Sequence, residues 1–217
     1  MTIVAVPNPT EAAIRLDGIR WQTYEALRDD LEAQHRHLRL TYYSGALEIM
    51  SPSPEHELYK KTAGRLVETL AEELAIDYYP LGSTTYKRVD FAAVEPDECF
   101  YFRNAAAVQG LRRIDLERDP PPDLAIEIDI TYSSINRLNV YAALGVPEVW
   151  RYDGQRLIVY QLQAGAYGES DRSLAFPNFP VTQLSEFLNR AIDSSYPALI
   201  REFREWVRMQ FGTLNSG

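Results

Sequence analysis

The sequence predicts one mixed domain of the α/β or α+β class, and three observations carry that expectation. Its 217 residues, 46% hydrophobic and 24% charged, are enough to bury one substantial core. Apolar residues recur at helical spacing in some stretches and form short runs in others, as expected of helices and strands. No repeat, low-complexity tract or linker divides residues 21–217, which read as one domain. Residues 1–20, with Pro7, Pro9 and no clear period, read as an arm.

Thr23 is placed to cap a helix reaching about residue 34, with Tyr24, Leu27 and Leu31 at helical spacing. HLRLTYYSGALEIMS reads as two strands joined by a tight turn at Ser44-Gly45. The proline-rich SPSPEH opens a long helix over about 55–75, where Leu58, Thr62, Leu66, Leu70 and Leu74 fall near four-residue spacing. Short strands are expected over 77–79, 83–89 and 97–102. An irregular stretch with Arg112, Arg113 and three prolines follows, then a strand over 124–130. Ser133 or Ser134 caps a helix that runs to Leu144 and stops at Gly145. EVWRY and RLIVYQLQ flank Asp153-Gly154, a hairpin signal. The last helix, about 196–211, sets Tyr196, Leu199, Ile200, Phe203, Trp206, Val207 and Phe211 on one face.

The net charge is −9, and residues 51–100 hold ten Asp or Glu against five Lys or Arg. A protein that grips nucleic acid through its phosphates is usually basic on the gripping face. The balance therefore argues against a purely electrostatic DNA binder but allows a metal-bridged one. A single cysteine, Cys99, excludes an intrachain disulfide and a multi-cysteine zinc site, and its apolar neighbours predict core packing. No run approaches the roughly 18 apolar residues of a membrane span. The start has no basic segment followed by a long apolar stretch. A soluble, cytoplasmic protein without a membrane partner is expected.

PPDLAIEIDI, residues 121–130, has the composition of a buried strand yet carries Asp123, Glu127 and Asp129. An unpaired buried charge is costly, so these acids need partners. Along a strand Glu127 and Asp129 share a face about 7 Å apart, while Asp123 lies about 13 Å from Glu127; Asp123 therefore reads as a strand-start or turn residue. The better partner for Glu127 is Asp97, which opens the apolar run in EPDECFYF. If the two strands are neighbours, about 4.8 Å apart, Asp97 and Glu127 converge on one hard cation, Mg²⁺ or Mn²⁺. The other reading leaves these acids at strand ends, solvated or paired with Arg88, Arg113 or Arg137.

YYSGALEIMSPSPEH, EPDECFYF, PPDLAIEIDI and RLNVYAALGVPEVWRYDG, in that order, resemble the Uma2 family over about residues 20–190. The resemblance implies a restriction-endonuclease-like core of the PD-(D/E)XK group: a central mixed sheet flanked by helices, here with an extra N-terminal hairpin and a C-terminal helix. It further implies a metal-dependent endonuclease that hydrolyses DNA phosphodiester bonds. Asp97 and Glu127 would hold the metal, the Ile128 carbonyl would be a further ligand, and Asp129 would act behind them or through water. The motif's lysine position, two after Glu127, holds Asp129 instead. Relatives often place a lysine in the following helix, four residues before a tyrosine; here that position is Arg137, before Tyr141. Arg137 is expected to fill the lysine's space, with Lys87 as the other candidate. An arginine stays protonated and makes a poor general base.

His35 and His37 alternate like a ligand pair, but no acid pattern accompanies them, and an exposed pair is expected. His56 either reaches the scissile phosphate or fills a helix start. Glu57 and Glu68 either add a ligand from the long helix or belong to its solvated face, where Lys60 and Lys61 are also expected. Most of the 14 tyrosines are expected in the core or on sheet surfaces rather than stacking on bases. Two rivals to the endonuclease remain: an inactive interaction protein that keeps the fold, and a metal-dependent phosphoesterase acting on a smaller substrate. Cutting both strands of a duplex generally needs two sites, so a homodimer is expected, with the apolar stripe of the last helix as its surface.

Overall fold

The computed structural model describes residues 12–36, 38–130 and 135–212. Along the chain come β1 (Ala12–Leu16), α1 (Trp21–Ala33), β2 (Arg39–Tyr43), β3 (Ala46–Ser51) and α2 (Pro54–Glu73). They are followed by β4 (Tyr79–Pro80), β5 (Tyr86–Arg88), β6 (Ala92–Val94), β7 (Glu98–Tyr101), the one-turn α3 (Ala105–Val108) and β8 (Leu124–Ile128). The last elements are α4 (Arg137–Leu144), β9 (Glu148–Tyr152), β10 (Leu157–Gln163), β11 (Ala166–Ser170), α5 (Leu184–Asn189) and α6 (Tyr196–Gly212).

These strands form two sheets, ordered β1-β3-β2-β6-β5 and β11-β10-β9-β8-β7-β4. The first is antiparallel throughout. The second is mixed, because β8 and β9 run parallel while their neighbours are antiparallel. A parallel pair needs a crossover, and α4 supplies it. The mixed α/β class expected from the sequence is the class observed.

Local sequence explains the main joints. Ser44 and Gly45 both take positive φ, 47° and 87°, as a two-residue hairpin between β2 and β3 requires. The Ser53 side chain caps α2 by accepting from the His56 amide, and Pro54 occupies the first turn. Asn136 caps α4 by accepting from the Leu138 amide, and Gly145, at φ 75°, ends it in the left-handed region.

Packing sorts the faces. Trp21 and Tyr24 of α1 pack on Leu40, Tyr42, Leu47 and Ala93 of the first sheet. Residues directly opposite in an antiparallel pair share a face, so Arg39 with Met50, and Thr41 with Glu48, lie on the other side. On the second sheet, Leu124, Ile126 and Ile128 join the core formed with α2, α5 and α6. Cys99, Tyr101, Ala125 and Val149 pack instead with Val140, Tyr141 and Leu144 of α4. Tyr86, Ala92 and Val94 of the first sheet enter that same cluster, so α4 lies between the two sheets. Glu127 shares the parity of Ala125 and faces this inner layer.

Several expectations need correction. Part of the expected arm, Ala12–Leu16, is the edge strand β1, paired with β3. Helix α1 starts at Trp21 behind Arg20 rather than behind Thr23; burial of Trp21 and Tyr24 decides its start. The expected strand over 83–89 shortens to β5, which pairs with β6 and not with the Asp97 strand. Finally, the apolar stripe of α6 is not a free surface. Leu199, Ile200, Phe203 and Val207 belong to the core, while Arg204 and Arg208 pair with Glu72 and Glu73 of α2 at 2.5–2.8 Å. The proposed serine caps, Ser133 and Ser134, and His37 lie outside the described residues. Among those described, no helix is long and apolar enough to cross a membrane.

Asp123 has the turn role expected of it, but as a buried one. Its carboxylate accepts from the Phe102 amide (2.8 Å), the Asn104 amide (3.2 Å) and the Asn104 side chain (3.2 Å). Truncation would leave those donors unmatched in a 5% exposed site. Asp123→Ala is therefore expected to lower stability by about 1–3 kcal/mol, visible as a lower urea midpoint at unchanged slope.

Candidate active site

Two acids from the second sheet meet two guanidiniums in the layer around α4. Asp97 immediately precedes β7, and its own amide donates to the Ile126 carbonyl of β8, so the two strands are neighbours as expected. One Asp97 oxygen accepts from the Ile128 amide at 2.8 Å; the other meets His56 Nε2 at 2.6 Å and accepts from Arg39 Nη1. Arg39 also donates to the Glu95 carbonyl and lies 3.2 Å from His56 Nε2. Asp97 and His56 are fully buried. Burial alone would raise the Asp97 pKa; the Arg39 charge and the His56 hydrogen bond outweigh it and hold the acid well below the usual carboxylate range.

Glu127 is gripped from α4. Arg137 Nη1 donates to one of its oxygens and the Tyr141 hydroxyl to the other. Arg137 and Tyr141 are four apart and therefore lie on one helix face. Burial and the Glu127 charge push the Tyr141 hydroxyl far up, so it stays protonated. Burial would depress Arg137, but the charges of Glu127 and Asp97 raise it further above the usual arginine value. Arg137 Nη2 lies 3.4 Å from Glu48 Oε1 on β3 and 3.7 Å from Met50 Sδ. Its Nε–H has no hydrogen-bond partner among the described residues, the kind of buried donor that marks strain or function.

A cleft of about 350 Å³ opens here, lined by Glu127, Asp129, Arg137, Tyr141 and Arg151 among others. Asp129, one residue past the end of β8 rather than inside a strand reaching 130, shares it with Glu127 and is paired with Arg151. Ile128 contributes its amide to Asp97 and sends its side chain to the opposite core.

The remaining candidates lie elsewhere. Lys87 stands opposite Ala93 on the α1 side of the first sheet, bonded to Glu25 at 2.9 Å with its ammonium over the Trp21 ring. The structure does not bring it to the acids. His56 does not face the cleft; it backs Asp97. Glu57 pairs with Lys60 and Glu68 with Arg65, in partly exposed ion pairs on α2. His35 is exposed after α1. Arg39 and Glu48 were missed by the sequence reading. Both lie in strands with buried positions on both faces, a property that the hairpin sequence does not display by itself.

No group of three His, Cys, Asp or Glu side chains among the described residues is arranged to hold a metal ion. The donor chemistry at Asp97 and Glu127 nevertheless suits a hard divalent cation: carboxylate oxygens on adjacent strands, their charges now matched by guanidiniums. Binding one requires those oxygens to change partners.

Fold and site together define a mixed α/β protein whose β8–α4–β9 unit carries a buried acid–guanidinium cluster. The Uma2 family model, described as "Putative restriction endonuclease", matches residues 21–192. The chain belongs to the Uma2 family. A search of curated proteins gives no match. Among solved structures, "a putative nuclease belonging to DUF820" from Anabaena variabilis is 16% identical, with a TM-score of 0.46 and coverage of 77% of this chain and 90% of that one.

Asp97→Ala would leave Arg39 buried without its acid, so a loss of about 3–5 kcal/mol is expected. Asp97→Asn, which keeps an acceptor for the Ile128 amide, should lose less; equal urea midpoints for the two variants would refute this ordering. Lys87→Ala removes a half-exposed pair, so it should cost at most about 1 kcal/mol and leave any cleavage activity at the parent level.

Proposed function

We propose that this chain is a Mg²⁺- or Mn²⁺-dependent endonuclease that hydrolyses phosphodiester bonds in DNA. The observation that carries the reading is the meeting of Asp97 and Glu127 on neighbouring strands in a buried cluster, in a member of the Uma2 family. Asp97, Glu127 and the Ile128 carbonyl would hold the cation, with Asp129 acting through water. When bound, the cation supplies Lewis-acid stabilisation of charge on a phosphate oxygen.

The chain's own groups divide the remaining work. Arg39 and His56 keep Asp97 ionised and fixed in orientation. Tyr141 holds one oxygen of Glu127 and leaves the other to exchange partners. Arg137 stays protonated, so it binds a phosphate oxygen or orients water and does not remove a proton. A second cavity, about 570 Å³, reaches the back of Arg39 and carries Arg28, Arg36 and Lys60 alongside Glu32, Glu57 and Glu95. Three carboxylates accompany the three cations there, with Lys60 paired to Glu57 and Arg28 to Asp29, so a DNA substrate would depend on the bound cation rather than on a basic surface at this cavity. A cytoplasmic location and a homodimer belong to the same reading. The pairing surface would lie away from the buried stripe of α6, and a monomeric mass by light scattering at tens of micromolar protein would remove the dimer from it.

One observation favours a non-catalytic relative: both acids are fully engaged by donors within the chain. Cleavage assays with plasmid, linear duplex, single-stranded DNA and a small phosphodiester, with Mg²⁺, Mn²⁺ or EDTA, separate the readings. Metal-dependent cleavage of DNA is expected, abolished in Glu127→Gln. Arg137→Ala should lose about 100-fold or more, whereas Arg137→Lys should keep or raise the rate. Inactivity of the parent on every substrate would favour the non-catalytic reading, and activity confined to the small ester would favour the phosphoesterase.

A further inference from the structure

Arg137 links the two sheets. Its Nη1 donates to Glu127 on β8, while its Nη2 lies 3.4 Å from Glu48 on β3. Glu48 is 1% exposed and shares its face of β3 with Met50, which touches the same Nη2. Packing does not require an acid there. A buried ion pair is often matched or bettered in stability by apolar residues of similar volume, so Glu48 calls for a reason other than filling the layer.

We propose that Glu48 is a positioning residue that retains Arg137 in the cleft when Glu127 exchanges the guanidinium for a cation or a substrate. The proposal rests on the reading of Asp97 and Glu127 as the metal-holding pair. An arginine fork donates from separate nitrogens, so the contact to Glu127 can break while the one to Glu48 persists. The present Nη2 contact is the longer of the two, and it can shorten once Nη1 is released. Without Glu48, the guanidinium would keep only one carboxylate contact, to Glu127, and would compete with the cation for that acid.

Two measurements test this. The first is a double-mutant cycle between Glu48→Gln and Arg137→Met in urea denaturation, run with Glu127 intact and again with Glu127→Gln. If Arg137→Met does not fold, Arg137→Lys takes its place. The coupling constant is expected to be about fivefold larger once Glu127 is neutral; an equal or smaller coupling overturns the proposal. The second compares Mn²⁺ titration with kinetics for Glu48→Gln. Mn²⁺ affinity within about threefold of the parent is expected, together with a kcat about tenfold lower and little change in KM. A tenfold loss of Mn²⁺ affinity would make Glu48 a ligand and overturn the proposal, as would a kcat loss that merely tracks the unfolded fraction. If the parent cleaves nothing, the functional reading fails while the denaturation cycle still decides the role of Glu48.

Discussion

The architecture depends on neutralising two carboxylates in the layer around α4. Asp97 and Glu127 sit on neighbouring strands, 0% and 3% exposed, where an unmatched charge would cost far more than one strand pairing returns. Neither acid finds its cation within its own sheet. Asp97 takes its cation from β2 and Glu127 from α4. The first sheet must therefore dock over the second in one register, because a one-residue slip of β2 would turn Arg39 toward α1. The N-terminal hairpin is thus a structural part of the site.

The same requirement fixes α4. A parallel crossover between β8 and β9 can be built from many helices, but this one has only eight residues, and its two polar side chains on one face both go to Glu127. Residues on its other rows, Val140 and Leu144, fill the space between the sheets. The helix therefore closes the core and grips the acid at once. Its cap at Asn136 sets the first turn immediately before Arg137, so the position of the guanidinium follows from that of the cap.

The parts of the site legible in the sequence were those fixed by local period. Alternation put Glu127 and Asp129 on one face and the hairpin at Ser44-Gly45 followed from its turn residues, whereas Arg137 before Tyr141 came from the resemblance to the Uma2 family. What remained hidden depended on register and on contacts between sheets. Lys87 could not be excluded because its facing depends on which strand it pairs with, and β6, a three-residue strand of Ala-Ala-Val, left too little pattern to be recognised. Arg39 and Glu48 stand in a hairpin where nothing local announces that a second sheet will cover them. The apolar stripe of α6 was read correctly as a stripe, but an amphipathic face alone does not say whether it meets the core or a second chain.

Charge ties these elements to the proposed chemistry. Glu48, Asp97 and Glu127 stand against Arg39 and Arg137, so, leaving His56 aside, the described cluster keeps one negative charge. A phosphodiester also carries one, and in a buried site of low dielectric their repulsion is weakly screened. On the proposed reading, one divalent cation reverses the sign of the cluster and matches it to a single phosphate. The same accounting explains why an arginine at position 137 is compatible with such a site. It cannot give up its proton, so on that reading substrate binding would respond to occupancy by the cation rather than to titration of the helix.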